Sequence, residues 1–280
     1  MNAVAEASGV SSMSRISARF SRLRHEGRKA LVPFITAGDP SREATVAVMH
    51  ALVSAGADLI ELGVPFSDPM ADGPVIQRSS ERALQRGTGT AQVFEFVREF
   101  RQRDAVTPVV LMGYLNPIEM RGADAYAAAA HDAGVDGVLL VDLPPEEAVP
   151  IRASFNAQGL ELISLAAPTT SPARLQRLAD TAQGYLYYVS FAGVTGASIT
   201  DAGDVAAKAT ALRALSKVPL LIGFGIKNAA SAAAMVVHAD GIVVGSALVE
   251  HLASANSAQE AADRARAFLA PLRAAIDATS

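Results

Sequence analysis

Short apolar runs and amphipathic stretches alternate along most of the chain. Eight runs rich in branched and aliphatic side chains read as strands buried on both faces: Ala30–Thr36, Leu59–Gly63, Val109–Met112, Gly137–Val141, Leu160–Leu165, Tyr185–Val189, Pro219–Ile222 and Gly241–Val244. Between them apolar positions recur with helical spacing at about Arg42–Ser54, Ala91–Arg103, Ala123–Asp132, Glu146–Gln158, Pro172–Ala182, Ala202–Ala214 and Ala229–Val237, and again after the last strand through Ile276. One more amphipathic helix precedes the first strand, with Ile16, Phe20 and Leu23 spaced among arginines and an end near Gly27. Eight strands alternating with helices predict a (β/α)8 TIM barrel, with the extra N-terminal helix placed to cap its bottom. Ala55-Gly56-Ala57-Asp58, Ala133-Gly134-Val135-Asp136 and Val237-His238-Ala239-Asp240 each stand just ahead of a strand. They read as one recurring helix-to-strand junction, or as chance similarity of alanine-rich helix ends.

Composition narrows the picture. With 280 residues, 50% of them hydrophobic and only 5% aromatic, the chain can bury a large aliphatic core. No linker divides it, so residues 14–280 are expected to form a single domain. Residues 1–13 are small and polar and read as a disordered extension, with Met13 as a second candidate start. A net charge of −4 carries no electrostatic footprint for nucleic acid or an anionic membrane. No run approaches the ~20 apolar residues of a membrane span, and the N-terminus lacks a signal-peptide core, so a cytoplasmic location is expected. Cysteine is absent, and His25, His50, His131, His238 and His251 show no ligand spacing, so no metal site is expected.

The chemistry concentrates after the second strand. Glu61 lies inside an apolar run, and it is followed by a loop in which Gly63, Pro65, Pro69, Gly73 and Pro74 rule out helix or regular strand for a dozen residues. Either Glu61 is the exposed last polar residue of its strand, or it is a buried carboxyl whose pKa is raised into the range useful for proton transfer. The constrained loop that follows, carrying Phe66, Asp68 and Asp72, favours the second reading. In such barrels reacting groups stand at the C-terminal ends of strands. Read there, the polar residues are Thr36 and Asp39, then Glu61 to Asp72, Tyr114 and Asn116, Asp142, Thr169 and Thr170, and Ser190 to Thr195. Gly223-Phe224-Gly225 and Gly245-Ser246 end the last two strands ahead of helices, where exposed backbone N–H groups suit a phosphate, although either could be a plain turn. Ala192 to Ala197 has the glycine hinges and small side chains of a lid, or of an ordinary surface loop. Tyr187 shares a strand face with Tyr185 and Val189, a face that could line the barrel, or it is simply a core tyrosine.

Pro33-Phe34-Ile35-Thr36-Ala37-Gly38-Asp39-Pro40, the segment Glu61 to Pro74, Gly193-Val194-Thr195-Gly196 and Gly223-Phe224-Gly225-Ile226 together resemble the tryptophan synthase alpha chain family. The resemblance runs from Ser14 to the C-terminus. It implies a lyase that splits indole-3-glycerol phosphate to indole and glyceraldehyde 3-phosphate, with indole passing to a beta chain. Glu61 matches the family's acid/base, Asp72 its partner at the indole nitrogen and Tyr187 its active-site tyrosine. Phe34, Tyr114 and Leu139 would wall the indole pocket, and Thr195 would close the lid against Asp72. Gly196, Gly225, Gly245 and Ser246 map onto phosphate-binding positions. Pro65, Asp68, Asn116 and Pro117 match the face that meets the beta chain, in a heterotetramer of two alpha and two beta chains. The resemblance implies no cofactor in this chain, with pyridoxal phosphate in the partner. No Schiff-base lysine is needed, and none sits in a candidate strand. Phe191 departs from relatives with a basic residue at the start of the lid. Three readings stand open: the synthase alpha subunit, a stand-alone indole-releasing lyase, and a silent regulatory barrel. The joint presence of Glu61, Asp72 and Tyr187 weighs against the last.

Overall fold

A computed structural model describes residues 13–189, 202–223 and 225–279. Its eight strands are β1 (Ala30–Thr36), β2 (Ile60–Gly63), β3 (Val109–Gly113), β4 (Gly137–Leu140), β5 (Glu161–Ala166), β6 (Leu186–Val189), β7 (Leu220–Gly223) and β8 (Gly241–Val244). Each pairs in parallel with the next, and β8 closes back on β1, giving the barrel that the alternation predicts. The proposed disordered extension falls almost wholly on residues 1–12, outside the described residues, and the proposed lid Ala192 to Ala197 also lies outside them.

Side chains alternate across the barrel wall. Leu31 and Ile35 of β1 and Ile60 and Leu62 of β2 pack outward against the helical layer. Val32, Phe34, Leu59, Val110, Leu139, Ile163, Tyr185, Tyr187, Leu221 and Val243 fill the interior. Ile16, Phe20 and Leu23 of the helix Arg15–His25 join that interior cluster, so this helix does plug the bottom of the barrel. Its N-terminus is fixed by Ser14, whose hydroxyl accepts from Ser17 N and donates to Glu161 Oε1 at 2.7 Å.

The recurring tetrapeptides have a shared physical role. Asp58, Asp136 and Asp240 each donate their own N–H to a carbonyl of the preceding odd-numbered strand, at Leu31, Val109 and Leu220. Each carboxylate in turn accepts the N–H of that same residue, at 2.9, 2.8 and 2.9 Å. An arginine from the outer helices completes each clamp: Arg273 on Asp58, Arg101 on Asp136 and Arg213 on Asp240. Gln183 occupies the equivalent place before β6, accepting from Leu162 N without a charge. The three repeats and Gln183 therefore mark four αβ junctions that seal the bottom of the barrel, leaving the top for chemistry.

Three helical connections differ from the periodicity reading. Between β3 and β4 a short helix, Asn116–Arg121, precedes the expected one, observed at Ala123–Ala133. Between β2 and β3 run two helices, Pro74–Gln85 and Thr90–Arg101, where only the second was expected. Pro74 does not extend the loop. It starts a helix, because proline's fixed φ and missing N–H suit the first helical position. After β8 the chain likewise forms two helices, Ser246–Leu252 and Ala258–Asp277, broken at residues 253–257.

Candidate active site

Glu61 is fully buried at the barrel interior, on the same strand face as Leu59. Its Oε1 accepts from the Tyr185 hydroxyl at 2.5 Å, across the barrel from β2 to β6. Its Oε2 has no hydrogen-bond partner among the described residues. Burial drives its pKa up to about 7, and the Tyr185 hydrogen bond only partly offsets that. An isolated buried carboxyl near neutrality is suited to exchange a proton and ill suited to a structural role. Tyr187 lies one strand-repeat above Tyr185 on the same face and is buried close enough to Glu61 for the carboxylate to raise its phenol pKa further.

Asp72 closes the loop that follows β2. It is half-buried, and burial raises its pKa to about 6 against the opposing effect of a hydrogen bond from Tyr114. The Tyr114 hydroxyl donates to Asp72 Oδ2 at 3.1 Å and accepts from Ala71 N at 3.0 Å. The Tyr114 ring stacks on Phe66 with centroids 5.0 Å apart. Gln77, on the helix Pro74–Gln85, donates to the Asp72 carbonyl at 2.8 Å.

The structure thus brings Phe34, Leu139 and Tyr187 together with Glu61 inside the barrel, and Tyr114 together with Asp72 on its rim. Tyr114 carries a polar tether as well as the apolar face expected of it. Glycines at the mouth make room for these side chains: a Cβ on Gly63 would lie 2.6 Å from Phe34 Cζ, and one on Gly223 would overlap the Tyr187 hydroxyl. Gly223 therefore has a packing reason independent of any phosphate. Gly245 is the N-cap residue of the helix Ser246–Leu252. Gly225 adopts φ +58 but lies three residues before Asn228, which caps the helix Ala229–Val236 through a capping box. The N-terminal N–H of Ser231 is thus already taken by a side chain. Thr195, Gly196 and Phe191 lie outside the described residues. Of the residues expected at a partner face, Asp68 and Asn116 are exposed, Pro117 is half-buried and Pro65 is buried.

Sequence reasoning missed two partners in this arrangement. Tyr185 had a signal, since it sits two residues from Tyr187 and shares its face, but its reach to Glu61 depends on barrel closure. The hydrogen bond from Tyr114 to Asp72 spans 42 residues and has no local signature.

A closed parallel barrel with a neutral-leaning buried carboxyl in its interior and a second carboxyl on the adjoining rim is an enzyme scaffold for proton transfer. Comparison with known proteins makes the class specific. The family model described as tryptophan synthase alpha chain matches residues 20–277. The tryptophan synthase alpha chain of Xanthomonas oryzae pv. oryzae is 67% identical over 266 residues, 95% of this chain and 99% of that protein. That of Xylella fastidiosa is 66% identical over the same shares. The crystal structure of tryptophan synthase subunit alpha from Legionella pneumophila superposes with a TM-score of 0.89 at 46% identity, covering 95% of this chain and all of that one. The chain belongs to the tryptophan synthase alpha chain family, lyases that cleave indole-3-glycerol phosphate in tryptophan biosynthesis.

Proposed function

We propose that Glu61 is the acid/base of this cleavage and Asp72 the carboxylate that stabilises the charged intermediate. The carbon–carbon bond between the indole ring and the glycerol chain breaks only after the ring carbon has gained a proton. Glu61 in its neutral form delivers that proton, and the resulting indolenine carries positive charge at its ring nitrogen. Asp72, ionised, faces the ring N–H and stabilises that charge. The Glu61 carboxylate then takes the proton of the glycerol hydroxyl; the aldehyde forms as the carbon–carbon bond breaks, and its electron pair returns to the indoleninium ring, which leaves as neutral indole. Phe34, Tyr114 and Leu139 would wall the indole ring, with Tyr187 beside Glu61. Gly196, Gly225, Gly245 and Ser246 would hold the phosphate, and Thr195 would close the lid against Asp72. The observation that supports the roles best is the buried, unpaired Oε2 of Glu61 in an interior of apolar side chains.

The name of the relatives implies a beta chain as partner. The reading here is a heterotetramer of two alpha and two beta chains, with Asp68, Asn116, Pro117 and Pro65 at or beneath the contact. Pyridoxal phosphate would be held by the beta chain and no cofactor by this one, a single barrel domain of residues 14–280 working in the cytoplasm. Among the described residues no helix is long and apolar enough to cross a membrane. Release of glyceraldehyde 3-phosphate from indole-3-glycerol phosphate should be slow for the chain alone and faster with a tryptophan synthase beta chain. A rate unchanged by the beta chain would favour the stand-alone lyase.

The pH dependence follows from the two carboxyls. Glu61 must start protonated, so turnover falls as pH rises through about 7. Asp72 must be ionised, so turnover falls as pH drops through about 6. The expected kcat/KM profile is a narrow bell between these values. A profile flat from pH 5.5 to pH 8.5 would count against this assignment of roles.

A further inference from the structure

We infer that Tyr114 is a positioning residue for Asp72: from the end of β3 its hydroxyl fixes the orientation of the Asp72 carboxylate and keeps it ionised. The inference rests on the role proposed for Asp72 and extends it to a residue whose expected part was an apolar wall.

The geometry sets the direction of the hydroxyl proton. Ala71 N–H can only donate, and its hydrogen bond to the Tyr114 oxygen, at 3.0 Å, uses that oxygen as acceptor. The phenol's own hydrogen is left for Asp72 Oδ2, 3.1 Å away. A phenol held as a donor favours the carboxylate over the carboxylic acid. The tyrosine itself cannot wander, because it is only 5% exposed and its ring is stacked on Phe66 with an interplanar angle of 29°. One side chain therefore touches the loop at residues 66, 71 and 72. Without it, Asp72 would end a loop whose prolines limit the backbone but give its carboxylate no anchor. The tether takes Oδ2 and leaves Oδ1 for a ligand N–H.

The ionisable groups of the surrounding elements do not supply an alternative. Glu61 on β2, Asp68 in the loop and Asp142 after β4 are acids, and Asp142 acts on Tyr114 by raising its pKa as Asp72 does. On the helix that follows the loop, Arg78 is exposed and does not act on Asp72, and Arg82 is engaged with Asp39 through two hydrogen bonds of 2.7 and 2.8 Å. Burial favours neutral Asp72, and Tyr114 is the group that opposes it.

Tyr114→Phe tests this, since it keeps the ring, its stack on Phe66 and the apolar wall. Cleavage of indole-3-glycerol phosphate would be followed from pH 5 to pH 9, alone and with a beta chain, for wild type, Tyr114→Phe, Asp72→Asn and the double variant. Loss of the hydroxyl should lower kcat at pH 7 by about ten- to a hundredfold, the scale of one charge-assisted hydrogen bond, with KM within about twofold. The acid limb should move up by about one pH unit, and the double variant should be no slower than Asp72→Asn alone. An unmoved acid limb, or a raised KM with kcat intact, would leave Tyr114 as a wall and overturn the inference. Carbon-13 NMR of the Asp72 carboxyl reads the same point without turnover: its midpoint should rise in Tyr114→Phe, and an unchanged midpoint refutes the tether. If Asp72→Asn proves fully active, the role of Asp72 in the reaction falls, while the NMR midpoint still decides whether Tyr114 governs the carboxylate.

Discussion

Glu61→Gln is expected to lose roughly 10²- to 10⁴-fold in turnover while binding indole-3-glycerol phosphate about as well as the wild type. Glutamine fills the same volume and can still accept from the Tyr185 hydroxyl, so the pocket keeps its shape. What disappears is the transferable proton. Single-turnover cleavage together with equilibrium binding would separate the two effects, and turnover within tenfold of wild type would remove Glu61 from the chemistry. The same variant has a second, thermodynamic signature. The folded protein holds Glu61 protonated up to about pH 7, whereas the unfolded chain releases that proton near pH 4.5. This group's contribution to stability is therefore fully present below pH 4.5 and is lost as pH rises through 7. The loss is on the order of 3 kcal/mol for a shift of that size. Denaturant unfolding should show the variant gaining on wild type by about that amount between pH 4.5 and pH 8. A difference that stays constant with pH would mean that Glu61 is not neutral in the folded protein.

Asp136→Ala should destabilise the fold by about 3–5 kcal/mol without altering the mouth of the barrel. Asp136 is almost fully buried and accepts from Arg101 at 2.7 Å, Arg15 at 2.8 Å and Val109 N at 2.8 Å. Truncation leaves the guanidinium of Arg101, only 11% exposed, without its carboxylate, and strands a backbone donor of β3. It also frees the N-terminal helix at one of its anchors, since Arg15 belongs to that helix. Against a total stability of roughly 5–15 kcal/mol the loss is large. Urea unfolding would measure it, and a change below about 1 kcal/mol would show that the clamp is replaceable by water. At Gln183, where the same N–H is met by a neutral amide, substitution by alanine should cost less, because no buried charge is stranded.

The periodicities alone determined much of this protein. Strand alternation in β1 and β2 already sorts Phe34 and Glu61 from Ile35 and Leu62, because in a strand the face of a side chain follows from counting by two. The alternation of strands and helices fixes a parallel barrel, and the barrel rule places Glu61 and Asp72 at one end of it. These are local properties, set by backbone geometry within a few residues. The motif segments from Pro33 to Pro40 and from Glu61 to Pro74 carried the family and the lyase activity.

Only the tertiary structure decided how the site is wired. That Tyr185 donates to Glu61, that Tyr114 takes hold of Asp72 and Ala71, and that Gly223 is small because Tyr187 overlies it all depend on the stagger with which the barrel closes. The pKa of Glu61 belongs to the same level. Its position in an apolar run suggested burial, but the shift arises because the closed barrel removes the carboxyl from water while Tyr185, which holds one oxygen, only partly offsets that cost. Even the end of the acidic loop was set there: its last proline, Pro74, reads in sequence as excluding helix, yet it opens one, and Gln77 bonds back to the loop from that helix's first turn. Pattern tells which face a residue takes; the partner it meets there is set by chain segments far away in sequence.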